Sequence, residues 1–246
     1  MIEGWLDQAA TDFWTQIGRE LPFPRNLEMV VSRGLPINHI ALPNLNVKRI
    51  EQWFLERQAP YQLLCQNRAL YGCIVAMRGH GFLFVDQSDS EAERRFTIAH
   101  EIAHFLLDYV TPRQKVLDVF GDSIRPVLDG ERTPTRLELI DAMLSKVNFG
   151  VYVDMMPRSA QGGIDQGAIL CAEDNADQLA FELLAPAEHV LNQPAVLQTK
   201  LPFARTRVIA SLLMTEYGLP KQLAFRYSAF LTRHTPQQSS AQWLGL

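Results

Sequence analysis

Cysteine is scarce in this 246-residue chain: Cys65, Cys73 and Cys171 are an odd set with no CxxC spacing. That argues against a disulfide framework, and their apolar neighbours suit small buried thiols. Long apolar runs are missing too, since none approaches the ~18 consecutive residues that a membrane-spanning helix needs. The N-terminal segment carries Glu3, Asp7 and Asp12 and lacks a basic stretch leading into an unbroken apolar one, so it does not read as a secretory signal. Nor is there an excess of positive charge: 23 Lys and Arg against 27 Asp and Glu leave a formal charge of -4. Nucleic acid and anionic membranes select for clustered Lys and Arg, so neither is expected as a partner. The expected compartment is the cytoplasm. What the chain does have is 47% hydrophobic residues, ample for a sizeable core.

Ile2, Leu6, Ala9, Phe13, Ile17 and Leu21 recur at helical spacing and predict an amphipathic helix over residues 2–21 that Pro22 to Arg25 breaks. A short helix over 26–33 and one capped by Asn46 and running to about Arg57 make the first 60 residues mostly helical. Two apolar runs, Cys73 to Met77 and Phe82 to Val85, flank Arg78-Gly-His-Gly81 and predict a hairpin. Ser90 and Glu93 form a capping box that opens a helix reaching about Asp108. Beyond a stretch punctuated by Pro112, Pro126 and Gly130, a helix is predicted from Pro134, capped by Thr133, to about Val147. A glycine-bearing loop over 158–168 follows, then a helix over 172–184 that Pro186 ends. Two helical segments near 203–217 and 219–232 meet at Gly218-Leu-Pro220, and the last dozen residues read as a frayed tail.

The chemistry concentrates on the helix opened at Ser90. In Phe96-Thr-Ile-Ala-His-Glu-Ile-Ala-His-Phe, His100 and His104 are four apart and point within ~40° of each other, so both imidazoles can reach one metal ion. Glu101 projects beside them, placed to take a proton from water acidified by that metal. Between Thr97 and Asp108 only these three residues are polar, and so buried a carboxylate needs a partner. The competing reading is two satisfied core histidines and a Glu101 paired with an arginine, which needs three separate partners where one cation suffices. A catalytic zinc takes a third protein ligand. Glu173 and Asp177 are also four apart: Glu173 would complete a two-His, one-Glu site, and Asp177 would accept the free N–H of a ligating histidine. The alternative for this pair is an exposed acidic first turn of a helix. Asp108 sits ~12 Å of helical rise from His100, too far for both to meet one ion, and reads as a helix-end or orienting residue. His39, His80, His189 and His234 read as ordinary surface or loop residues.

The runs Gly81-Phe-Leu-Phe-Val-Asp86, Glu93-Arg-Arg-Phe-Thr-Ile-Ala-His-Glu-Ile-Ala-His-Phe-Leu-Leu107 and Glu173-Asp-Asn-Ala-Asp-Gln-Leu-Ala-Phe-Glu-Leu-Leu-Ala-Pro186 resemble, in order and in flanks, the ImmA/IrrE metallopeptidase family. The resemblance is best over 70–190. It implies a mainly helical α+β fold with a zincin-like core, a small β-sheet packed against the HExxH helix and the helix of the glutamate ligand. It implies one Zn2+ per chain on His100, His104 and Glu173, with Glu101 as catalytic base. It also implies a protein substrate, a separate helix-turn-helix transcriptional repressor whose cleavage releases mobile-element or stress-response genes.

The chain departs from compact family members in the length between His104 and Glu173, an insertion over about 110–168 within a core of 67–192. Helical regions over 1–66 and 193–246 are expected to pack with that core as one compact unit. The reading is therefore a zinc metalloendopeptidase. Its rival is a regulator that binds a repressor without cutting it and retains the zinc site. DNA binding through the C-terminal helix pair is a third reading, set against two core helices packed through Leu212, Leu213, Leu219, Leu223, Phe225 and Phe230. If the strand Phe82 to Val85 lies at a sheet edge, it can hold an extended substrate by strand addition.

Overall fold

The computed structural model describes residues 4–18, 21–158 and 166–234. The chain begins with α1 (Gly4–Ile17), α2 (Glu28–Gly34), β1 (Ile37–Leu42), α3 (Val47–Glu56), β2 (Leu70–Met77), β3 (His80–Asp86) and α4 (Glu91–His104). A π-helical stretch (Phe105–Val110) joins α4 to α5 (Thr111–Phe120), and α6 (Arg125–Leu128), α7 (Arg136–Leu144) and β4 (Tyr152–Pro157) follow. Then come α8 (Gln166–Leu184), α9 (Ala187–Leu191), α10 (Pro194–Gln198), α11 (Pro202–Thr215) and α12 (Lys221–His234). Two compact units emerge, one of Leu27–Ala180 and one formed by the described parts of 1–26 and 181–246. No helix among the described residues is long and apolar enough to cross a membrane.

In the first unit a four-stranded sheet of order β1-β3-β2-β4 lies between two helical layers. The β2–β3 hairpin turns through Arg78 and Gly79, both with positive φ (51° and 81°), the conformation that matches the strands' twist. Side chains alternate across the sheet. Cys73 and Val75 of β2 and Phe84 of β3 join Val47, Ile50 and Phe54 of α3 in one core, which Val153 and Met155 of β4 extend. The opposite face, with Gly72, Ile74 and Asp154, receives α4. Burying large apolar groups on both faces, each worth ~1.5–3 kcal/mol, holds α4 against the sheet.

Helix α4 starts where its sequence says it should: Ser90 accepts from the Glu93 N–H, and the Glu93 carboxylate accepts from the Ser90 N–H. Every residue from Arg95 to His104 is buried. Pro112 has no N–H to bond the turn behind it, and the helix passes towards it through the wider π turn, in which Thr111 N–H donates to Leu106. A continuous helical run thus extends through Phe120, where the sequence suggested an irregular stretch after Asp108.

Several expectations hold. Asn46 caps α3, the hairpin is present, and the chain is a mainly helical α+β fold with the small sheet against the HExxH helix. Others are corrected. The first 60 residues include a strand: β1 pairs parallel with β3, so its apolar positions are satisfied by the sheet. That pairing makes β3 an interior strand, and the edges are β1 and β4. Strand β4 lies inside the insertion, over residues to which the sequence reading assigned no element. The cap of α7 is Thr135, in a capping box with Glu138, rather than Thr133. Cys65 is exposed while Cys73 is buried, and Phe225 is exposed while Leu213 and Leu219 are buried. The loop over 159–165 and the terminal dozen residues lie outside the described residues.

Candidate metal centre

Two helices and a strand converge on one cluster. The Nε2 atoms of His100 and His104 on α4 face each other at 3.1 Å. Glu173 on α8 brings Oε2 to 3.4 Å from His100 Nε2 and Oε1 to 3.9 Å from His104 Nε2. Asp154 on β4 brings Oδ2 to 3.6 Å from His104 Nε2. One donor atom from each of these four residues lies within 4.8 Å of all the others. A tetrahedral ion with ~2.0–2.1 Å bonds needs donors roughly 3.3–3.4 Å apart, close to the spacings around His104 and His100.

The rings are aimed from behind. His100 Nδ1 lies 2.9 Å from Asp177 Oδ1, one helical turn from Glu173, and His104 Nδ1 lies 2.7 Å from Asp108 Oδ2 on the π turn. Each contact fixes the tautomer that turns Nε2 to the cluster. Tyr152 adds its hydroxyl at 3.4 Å from Asp108 Oδ2.

Glu101 is fully buried, and neither carboxylate oxygen has a side-chain hydrogen-bond partner among the described residues. Asp154 Oδ2 is likewise buried and unpartnered. Buried anionic oxygens without partners are costly, and a cation at the cluster compensates them together. This is the observation by which the donor set fits a metal ion. Glycine at position 72 makes the packing possible: a Cβ there would come within 2.4 Å of Thr97 Cγ2 and 2.9 Å of Glu101 Oε1.

Burial and the crowd of carboxylates together set the direction of each group's titration. Burial by itself pulls His100 down, but the Asp177 and Glu173 carboxylates outweigh it and raise the imidazole to about 10. Burial pushes the Glu101 carboxyl well up, and Asp154 adds to the effect against the opposing His100. Asp154 is raised chiefly by burial, with His104 opposing. The hydrogen bond to His100 lowers Glu173.

Sequence reasoning brought His100, Glu101, His104, Glu173 and Asp177 forward, and the structure brings all five together. It did not bring forward Asp154 or Tyr152. Their signal was present: Val151-Tyr-Val-Asp-Met-Met after Gly150 is rich in β-branched and aromatic residues, as strands are. None of the other described histidines is a donor of the cluster. His39 lies half-buried on β1, where burial lowers its pKa, instead of in a loop. His80 is exposed at the start of β3, and His189 Nδ1 lies 2.7 Å from the Tyr217 hydroxyl. The side chains of His234 and Cys171 lie outside the described residues.

The family model of the IrrE N-terminal-like domain matches residues 66–122, a span that holds β2, β3, α4 and the HExxH motif. No curated protein and no solved structure matches the chain. Motif, family match and four-donor cluster together make the chain a metallopeptidase that carries an IrrE/ImmA-like domain, its His100-Glu101-x-x-His104 motif joined by Asp154 and Glu173 from downstream elements.

Proposed function

We propose that this metallopeptidase is a zinc endopeptidase that cuts a separate helix-turn-helix transcriptional repressor, with His100, His104 and Glu173 as metal ligands and Glu101 as general base. The observation that carries the chemistry is the buried Glu101 carboxylate, with no side-chain partner among the described residues, beside the clustered donors. Two imidazoles and carboxylates favour zinc among the common divalent ions. Zinc bound there supplies Lewis acidity, polarising the scissile carbonyl and lowering the pKa of water.

The chain's own residues do the rest. Asp177 and Asp108 hold the two imidazoles in place. Glu101 accepts the proton released as water attacks the carbonyl carbon and delivers it to the leaving amine nitrogen as the C–N bond breaks. Strand β4 is the sheet edge beside the cluster, and an extended substrate segment pairing with it would present a peptide bond there. The repressor as substrate rests on the family resemblance.

A second reading is a binding protein that holds the metal without cleaving. It draws on Asp154, since four protein donors are the pattern of a closed site. Mixing zinc-loaded protein with a helix-turn-helix repressor encoded beside it, and following repressor mass, separates the two. Fragments with the wild type, and none with a Glu101→Gln variant that keeps its zinc, support hydrolysis with Glu101 as base; the expected loss is ~10²-fold or more. An intact repressor that co-migrates with the protein supports the binding reading.

A further inference from the structure

We infer that Asp154 closes the metal centre from the edge strand, occupying the position that substrate and water need, so that the described state is a latent one. The inference rests on the metallopeptidase reading and concerns how that site is regulated.

A catalytic zinc keeps three protein ligands and leaves a position open, whereas four protein ligands make a closed site. Here His100, His104 and Glu173 already form a three-ligand set, and Asp154 adds a fourth donor atom within the same 4.8 Å cluster. Its Oδ2 is buried, has no hydrogen-bond partner among the described residues and lies 3.6 Å from His104 Nε2, so the cluster itself is what it faces. Its position is set by backbone pairing with Ile74 of β2, on the sheet face that receives α4. His100 and His104 sit on a wholly buried helix, each backed by an aspartate. Asp154 sits on an outermost strand, paired on one side only, that belongs to the insertion between the HExxH helix and the Glu173 helix. Its withdrawal, unlike that of either histidine, requires movement of an edge strand and not of the buried helix. Displacing it exchanges one carboxylate ligand for water or a substrate carbonyl, with no redox change.

The test uses Co2+ as a spectroscopic stand-in for zinc in the full chain, in the wild type and in Asp154→Ala and Asp154→Asn. Acetohydroxamate, a ligand for an open metal position, is titrated against the visible cobalt absorption. The expected result is that both variants retain cobalt and bind hydroxamate at least tenfold more tightly than the wild type, with a band shape altered before any hydroxamate is added. Hydrolysis of an unfolded protein substrate should rise in the same order. Equal hydroxamate affinity and unchanged spectra in all three proteins overturn the inference while leaving the metallopeptidase reading intact. Folded variants that no longer bind cobalt also overturn it, by making Asp154 an indispensable structural ligand. A wild type that takes up neither cobalt nor zinc sinks the metal-centre reading itself, and this inference with it.

Discussion

Glu182, near the end of α8, is buried, and burial lifts its carboxyl from 4.5 to about 7. It accepts from the Ala187 N–H at 3.2 Å and from the Tyr227 hydroxyl at 3.5 Å. Because the folded state holds this proton more tightly than the unfolded chain, Glu182 contributes stability that is fully present below about pH 4.5 and lost as pH rises through about 7. The whole swing is on the order of 3 kcal/mol. Urea unfolding of Glu182→Gln beside the wild type should therefore show the variant gaining relative stability between pH 5 and pH 8. A difference that does not vary with pH would show that Glu182 is ionised in the folded state. Gly72 makes a second residue-scale case. The 2.4 Å approach of a Cβ to Thr97 predicts that Gly72→Ala costs about 1–3 kcal/mol by overpacking and displaces Glu101, so thermal stability and hydrolysis should fall together. Unchanged melting would mean that β2 yields freely. At this scale the HExxH chemistry was legible because both histidines and the glutamate lie on one helical turn, where 3.6-residue geometry settles their relative direction. Asp154 was not legible, because nothing local distinguishes an aspartate that meets a histidine across a sheet from one that meets water.

Elements were legible where their signals are local. The capping box at Ser90, the Asn46 cap and the Arg78-Gly79 turn are each decided within a few residues, whereas the cap of α7 is Thr135, two residues past the Thr133 that the sequence suggested. Ser90→Ala removes an N-cap and should cost ~1 kcal/mol, about 2–4 °C in melting temperature for a domain of this size. Because α4 carries both histidines, calorimetry of that variant should also show weaker zinc binding; a lowered melting point with unchanged affinity would mean that the fraying stops before His100. Strands β1 and β4 were not legible in the same way. Each is a short edge strand whose partner lies far along the chain: Ile37 pairs with Gly81, and Val153 with Val75. Their hydrogen bonds are made by tertiary pairing, so a local window holds only half of the signal.

For the molecule as a whole, metal binding is folding free energy, because the four donors come together only in the folded state. Removing the ion leaves Glu101, Asp154 and Glu173 crowded around the two histidines alone. At a free zinc concentration a hundredfold above Kd the expected stabilisation is ~2.7 kcal/mol, or roughly 5–10 °C in melting temperature. Melting with chelator, and again after zinc is restored, should show that fall and its recovery; an unchanged curve would mean that the cluster holds no metal. The sequence by itself determined the HExxH helix, its capped start, the hairpin beneath it and the acidic pair on the helix that Pro186 ends, since each follows from spacing along one element. Only the tertiary structure decided that β3 is interior, that the insertion returns as an edge strand, and that Asp154 arrives as a fourth donor. Those outcomes depend on which distant segments complete the sheet, and the free energy that chooses among them comes from burying both faces together.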